Sequence, residues 1–212
     1  MVGYRTISFD MEGTLITHSF SNYIWEEAIP MLYAEVNDLP LKVAKSLIFE
    51  EYDAVGEEDL LWYDVAYWFT RLGIPGIWCN LLPLAAKKCR VYPEVYSVLD
   101  QLSDKYPLII VSNTIREFLD VQLSFLKTNF ERVFSAPSDY GLLKKDPKFY
   151  SIILEELDLE PGEIAHVGDH YIFDYEVPRS IGMPAYHLDR EGDGEGEGTV
   201  RDLEDFEMLV EP

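Results

Sequence analysis

Three short strand-like runs, the first β-rich and the other two apolar, each stopped by a polar residue, constrain this chain most. Residues 4–9 stop at Asp10-Met11-Glu12-Gly13, residues 107–111 at Ser112-Asn113, and residues 164–167 at Gly168-Asp169. Unbroken runs of this length, separated by helical stretches, suit parallel strands that are covered on both faces. The stretches between them carry helix signals. Thr114-Ile115-Arg116-Glu117 has the spacing of a capping box, and Asp146-Pro147 is a start signal for a helix through about Leu157. Gly182 closes a helix after the third run. The pattern predicts an α/β fold with right-handed crossovers. In open parallel sheets, ligands gather at the carboxyl ends of the strands. Asp10, Ser112 and Asp169 therefore belong on one edge. A polar residue after a single strand says little, because loops are polar. Two aspartates and a serine after three strands, with Glu12 and Asp174 nearby, indicate a shared site.

Residues 17–90 read differently. They contain no strand-like run, and Leu61, Val65, Trp68 and Leu72 form a helical stripe across 57–72. Acidic residues open that stretch and Gly73-Ile74-Pro75 ends it. Residues 40–54 and 20–36 also read as helices, with Pro30 expected to kink or split the second. The domain expectation is a core of residues 1–16 plus 91–212, and an all-helical insert over 17–90 with hinges near 15–19 and 90–93. All four tryptophans, Trp25, Trp62, Trp68 and Trp78, fall in the insert.

Charge narrows the partners. Lys plus Arg number 17 against 39 Asp plus Glu, a formal charge of −22. Such a chain is not expected to coat nucleic acid or an anionic membrane. It also repels a phosphorylated small molecule unless a cation sits in the site. Cys79 and Cys89 make no disulfide framework and lack zinc-finger spacing. With no apolar run near 18 residues and no leader-like start, a cytoplasmic protein is the expectation.

The motifs resemble those of the haloacid dehalogenase-like hydrolases. Asp10-Met11-Glu12-Gly13-Thr14-Leu15 resembles the family's first motif, D-x-D-G-T-L. Ser112-Asn113 resembles the second, and Lys144, before Lys145-Asp146-Pro147, the third. Gly168-Asp169 with Asp174 resembles the fourth, G-D-x-x-x-x-D. They occur in the family's order between about residues 4 and 188. The resemblance implies a Rossmann-like parallel-sheet core, with residues 17–90 in the place of a helical cap.

It also implies roles. Asp10 would be the nucleophile that forms an aspartyl-phosphate. Asp10, Asp169 and the main-chain carbonyl of Glu12 would bind Mg²⁺, a hard cation suited to oxygen ligands, with Asp174 a further ligand or the holder of a metal-bound water. Ser112, Asn113 and Gly13 would hold the substrate, and Lys144 would neutralise charge on nucleophile and phosphoryl group. The expected function is a Mg²⁺-dependent phosphatase of a small phosphorylated metabolite. The alternatives are a metal- or ligand-binding regulatory protein of the same fold with weak turnover, and a phosphomutase. Most family phosphatases carry Asp where this chain has Glu12. Family dehalogenases carry an apolar or aromatic residue there and phosphonatases a small one, whereas the enolase-phosphatase branch carries Glu. Glu12 is thus compatible with acid/base work, one methylene longer than usual. Of the histidines, His18 faces the expected site from a hinge, His166 reads as a hydrogen-bonded core residue, and His170 as incidental. The run 191–198 invites a calcium reading. Counted from Asp189, however, position 12 of an EF-hand loop is Val200 rather than Glu, so an acidic loop before a last helix near 202–210 is expected.

Overall fold

The computed structural model describes residues 3–192 and 196–210. The described residues form one parallel sheet of six strands: β1 (Thr6–Phe9), β2 (Leu108–Ser112), β3 (Arg132–Ser135), β4 (Ile164–Gly168), β5 (Ala185–Leu188) and β6 (Thr199–Val200), in the order β3-β2-β1-β4-β5-β6. The chain builds outward from β1 in one direction through β2 and β3, then crosses to β4 and builds the other way. The switch point is the β1–β4 seam, and Phe9 pairs there with Val167. Ligands collect at such a seam, and Asp10 and Asp169 stand at its carboxyl end.

Side chains alternate between the faces, as strand geometry requires. Ile7, Phe9, Ile110 and Val167 pack on one side against α6 (Val95–Ser103) and α10 (Leu203–Val210). Ile109, Val111 and Phe134 pack on the other against α8 (Pro147–Leu157). The expected helix start at Asp146 is present, and its carboxylate accepts from the Lys148 amide. The expected capping box is absent. The helix α7 (Arg116–Leu123) begins one residue later than a cap at Thr114 would give, and Ser138 of the turn after β3 accepts from the Arg116 amide instead.

Between β1 and β2 the described elements are helical. α1 (Ser19–Asn22) continues through a π-helical stretch (Tyr23–Ala28) into α2 (Ile29–Asn37). Pro30 does not split this helix. It is the second residue of α2, where the run leaves the π-helical stretch, the kind of irregularity at which a continuous helix accommodates a proline. α3 (Leu41–Val55) follows as expected. The expected helix over 57–72 is broken in two. Asp59 caps a 3₁₀ turn (Leu60–Tyr63), and Asp64 caps the shorter α4 (Val65–Arg71). An Asp that bonds its own local backbone competes with helix propagation, which a count of apolar spacing misses. α5 (Leu82–Ala86) completes the segment, and α9 (Val177–Ser180) follows β4. No helix among the described residues is long and apolar enough to cross a membrane. The acidic run 191–198 is described except for 193–195, and the last helix runs from Leu203 rather than 202.

Candidate active site

The carboxyl edge of β1, β2 and β4 gathers the expected residues, because each follows or ends its strand in register. Lys144 is the centre. Its ammonium is buried, 2.6 Å from Asp10 Oδ1 and in contact with Asp174 Oδ1. Asp10, Asp169 and Asp174 each bring a carboxylate oxygen within 4.8 Å of the others. The carboxylates outnumber the one ammonium among them, which leaves a deficit of positive charge. A close set of hard oxygen donors with that deficit fits a divalent cation such as Mg²⁺.

Two glycines make the crowding possible. A Cβ on Gly13, whose φ is +76°, would lie 2.0 Å from Asp169 Oδ2, and one on Gly168 would lie 2.3 Å from Asp174 Cγ. The glycines of the first and fourth motifs are therefore cradles for the aspartates of the fourth.

Burial sets the protonation. Asp10 is pushed up to about 7, first by desolvation and then by Asp174 and Asp169, with Lys144 opposing. Burial also acts to raise Asp174, yet Lys144 and the His166 hydrogen bond outweigh it and hold that carboxyl below its usual range. Burial acts to lower Lys144, but Asp10 and Asp174 raise it well above its ordinary value. The lysine is thus a fixed cation.

Glu12 lies beside this cluster and is pushed up to about 7 by burial. Its Oε1 accepts from the Ser21 amide at 3.2 Å, in the first turn of the helical segment. His18 Nε2 is 3.1 Å from Asp169 Oδ2, and that hydrogen bond raises the imidazole to about 9. His18, Asp169 and Gly13 line a cleft of about 230 Å³ together with Tyr92 and Arg190.

Ser112 is buried at the end of β2, and its hydroxyl accepts from the Thr114 amide. Asn113 Oδ1 accepts from the Lys144 amide at 2.8 Å, so it holds the lysine loop, while its Nδ2 is 3.4 Å from Tyr63 Oη. Lys145 points away and its ammonium reaches the Glu58 carbonyl. His170 stacks on Phe173 at 3.8 Å and caps the turn that carries Asp174, a structural post.

Three features escaped the sequence reading. His166 is a core residue as expected, but it also supports the site. Its Nδ1 is 2.8 Å from Ser8 Oγ and its Nε2 2.9 Å from Asp174 Oδ1. Period-2 alternation places Ser8 and His166 on one face of adjacent strands, so that signal was present. Tyr63 gave none, since its approach to Asn113 is a tertiary contact. Arg190 lies two residues past the end of β5. No motif accompanies residues 185–188, so nothing in the sequence marks Arg190.

The chain matches the haloacid dehalogenase-like hydrolase family over residues 4–182. It is 32% identical over 167 residues to the GMP/IMP nucleotidase YrfG of Escherichia coli, covering 77% of this chain and 73% of that protein. Its fold resembles that of a HAD phosphatase from Thermococcus onnurineus, with TM-score 0.82, 24% identity and 98% of each chain covered. It also resembles an L-2-haloacid dehalogenase from Xanthobacter autotrophicus, with TM-score 0.64, 16% identity and 98% of each chain covered. The fold is therefore common to more than one chemistry, and the side chains must distinguish them. With four motifs on one sheet edge and a family match across most of its length, the chain belongs to the haloacid dehalogenase-like hydrolases.

Proposed function

We propose that the protein is a Mg²⁺-dependent phosphatase of a small phosphate monoester, acting through phosphorylated Asp10. The observation that carries this reading is Lys144, a buried cation wedged between Asp10 and Asp174 with Asp169 alongside. Asp10, Asp169, Asp174 and the main-chain carbonyl of Glu12 would hold the metal. When bound, Mg²⁺ supplies charge neutralisation at the phosphoryl oxygens.

The chain's own groups account for the rest. An oxygen of Asp10 attacks phosphorus while Glu12, protonated near neutral pH, gives its proton to the departing alkoxide. The resulting Glu12 carboxylate then takes a proton from water as that water attacks phosphorus and frees Asp10. Lys144 stabilises negative charge on Asp10 and on the phosphoryl group throughout. Ser112 and Asn113, with Gly13, would hold the phosphoryl end of the substrate. Residues 17–90 act as a cap that excludes water from the reacting ester.

Glu12 supports this chemistry over dehalogenation, because a carboxylic acid there can protonate a leaving oxygen. The likeness to a GMP/IMP nucleotidase supports nucleoside monophosphates as the first substrates to try. Phosphate release from GMP, IMP and a panel of sugar phosphates, with Mg²⁺ and with EDTA, tests the proposal. Metal-dependent release from at least one ester is expected. No release from any of them, with Mg²⁺ binding intact, would favour the binding-protein alternative.

A further inference from the structure

The side chain of Arg190 is largely buried and joins three segments that the motifs leave separate. Its Nε donates to the Gly13 carbonyl at 3.0 Å and its Nη2 to the Thr14 carbonyl at 2.7 Å. Its Nη1 lies 2.7 Å from Glu94 Oε1, a charge contact without the alignment of a hydrogen bond. The guanidinium sits 3.6 Å from the centre of the Tyr92 ring. The first two bonds reach the loop that carries Asp10 and Glu12. The last two contacts reach the segment where the chain returns to the sheet from its helical excursion. That segment is laced to the same loop: Ile16 bridges Val91, the Thr17 amide donates to Arg90, and the Tyr92 amide donates to Leu15.

We propose that Arg190 is a positioning residue, which locks the loop of residues 10–16 so that Asp10 and Glu12 stay in register with Asp169; this rests on the phosphatase reading above. The geometry suits a guanidinium and not an ammonium. Two consecutive carbonyls are met by two parallel donors of one rigid plane, while the third nitrogen and the flat face serve other partners. Because a peptide is planar, fixing the Gly13 carbonyl fixes the whole Gly13–Thr14 unit. Gly13 has no slack on its other side, since its α-carbon abuts the Asp169 carboxylate. A tilt of this peptide therefore moves the nucleophile loop against the Asp169 carboxylate. A misplacement of about 1 Å can reduce turnover on the order of 100-fold.

A merely structural staple predicts something different. If Arg190 only balanced the charge of Glu94, neutralising either partner would do equal harm. The two variants Arg190→Gln and Glu94→Gln separate the cases, because only the first loosens the carbonyl clamp. With Mg²⁺ and p-nitrophenyl phosphate, Arg190→Gln is expected to lose at least tenfold in kcat, with KM changed less than threefold. Glu94→Gln is expected to keep kcat within threefold, even where both variants melt earlier. Arg190→Lys, which can reach one carbonyl, should fall between wild type and Arg190→Gln, and it carries the comparison if Arg190→Gln does not fold. Hydrogen exchange at the amides of residues 10–16 should quicken in the Arg190 variants and not in Glu94→Gln. Equal loss of kcat in the Arg190 and Glu94 variants, a smaller than tenfold loss in Arg190→Gln, or unchanged exchange at 10–16 would overturn the proposal. If the wild type releases no phosphate, the phosphatase reading fails alone, and the exchange contrast still decides the role of Arg190.

Discussion

At the scale of single residues, Glu12 decides between a relaxed and a refitted site. Sequence alone leaves both open, because an extra methylene can either misplace the acid or be absorbed by the backbone. The Ser21 amide, 3.2 Å from Oε1, favours absorption. A glutamate reaches the first turn of the helical segment, and an aspartate at the same position would fall short of it. Glu12→Asp is therefore expected to lower turnover, although Asp is the commoner family residue. Glu12→Gln should lose roughly 100-fold on an alkyl phosphate, within the usual contribution of a positioned proton donor. The substrate must be an unactivated ester such as glycerol phosphate, since p-nitrophenolate leaves without protonation. Wild-type turnover by Glu12→Gln on that substrate would make Glu12 a spectator and remove it from the mechanism. Asp10 and Asp169 were legible because each directly follows a strand, and Lys144 only through the resemblance to the family's third motif. The partner of Glu12 was not, because Ser21 is an ordinary serine until the fold brings it near.

At the scale of elements, the loop between β3 and α8 separates two adjacent lysines. Lys144 turns inward because the Asn113 side chain holds its amide and two carboxylates receive its ammonium. Lys145 turns outward to Glu58, at the edge of the helical segment. Removing Lys144 leaves two buried carboxylates without their cation, a costly state. Lys144→Ala should therefore lose at least tenfold more kcat than Lys145→Ala, measured by phosphate release with correct folding checked by circular dichroism. Equal losses would mean that the lysine facing the nucleophile is wrongly identified. The same scale shows what an apolar count reads well and badly. Both faces of the sheet and the start of α8 follow from residue type alone, as does the switch of the 20–36 stretch to helix. The break at Asp64 and the late start of α7 depend on which acceptor captures an amide. Those choices are made by Asp64 against its own backbone and by Ser138 from a neighbouring loop.

For the whole molecule, the question is how the helical segment and the sheet respond to metal and substrate together. Contacts between them are of two kinds. Polar ones ring the site: His18 to Asp169, Tyr63 to Asn113 and Lys145 to Glu58. Aromatic ones form a seam in which Phe20, Trp25 and Trp78 pack around Phe118 of α7. Two of the four tryptophans thus report on the seam itself, and Mg²⁺ with beryllofluoride should shift their emission. Unchanged fluorescence together with unchanged proteolysis near 15–19 and 90–93 would argue for a fixed segment.

Stability should also reveal the metal site through its pH dependence. Asp10 and Glu12 have folded pKa values of about 7, above the ordinary carboxylate range, so the folded state binds protons that the unfolded state has released. Such groups add stability below their unfolded pKa and lose it as pH rises through about 7. His18, raised to about 9, loses its contribution as pH rises toward that value, which is the same sign. The two carboxylates have lost most of that contribution by about pH 7, so His18 carries the further fall, and the metal-free protein should melt progressively earlier between pH 7 and pH 9. Mg²⁺ binds the deprotonated carboxylates, so it should raise the melting temperature more at pH 8.5 than at pH 7. The buried His166, whose pKa is lowered, works with the opposite sign, but only below its ordinary range near 6.5, and so it leaves this window undisturbed. Differential scanning calorimetry at the two pH values, with EDTA and with Mg²⁺, measures both effects. A Mg²⁺ stabilisation that is larger at pH 7, or absent at pH 8.5, would show that the carboxylates at the carboxyl edge of the sheet do not form the cation site.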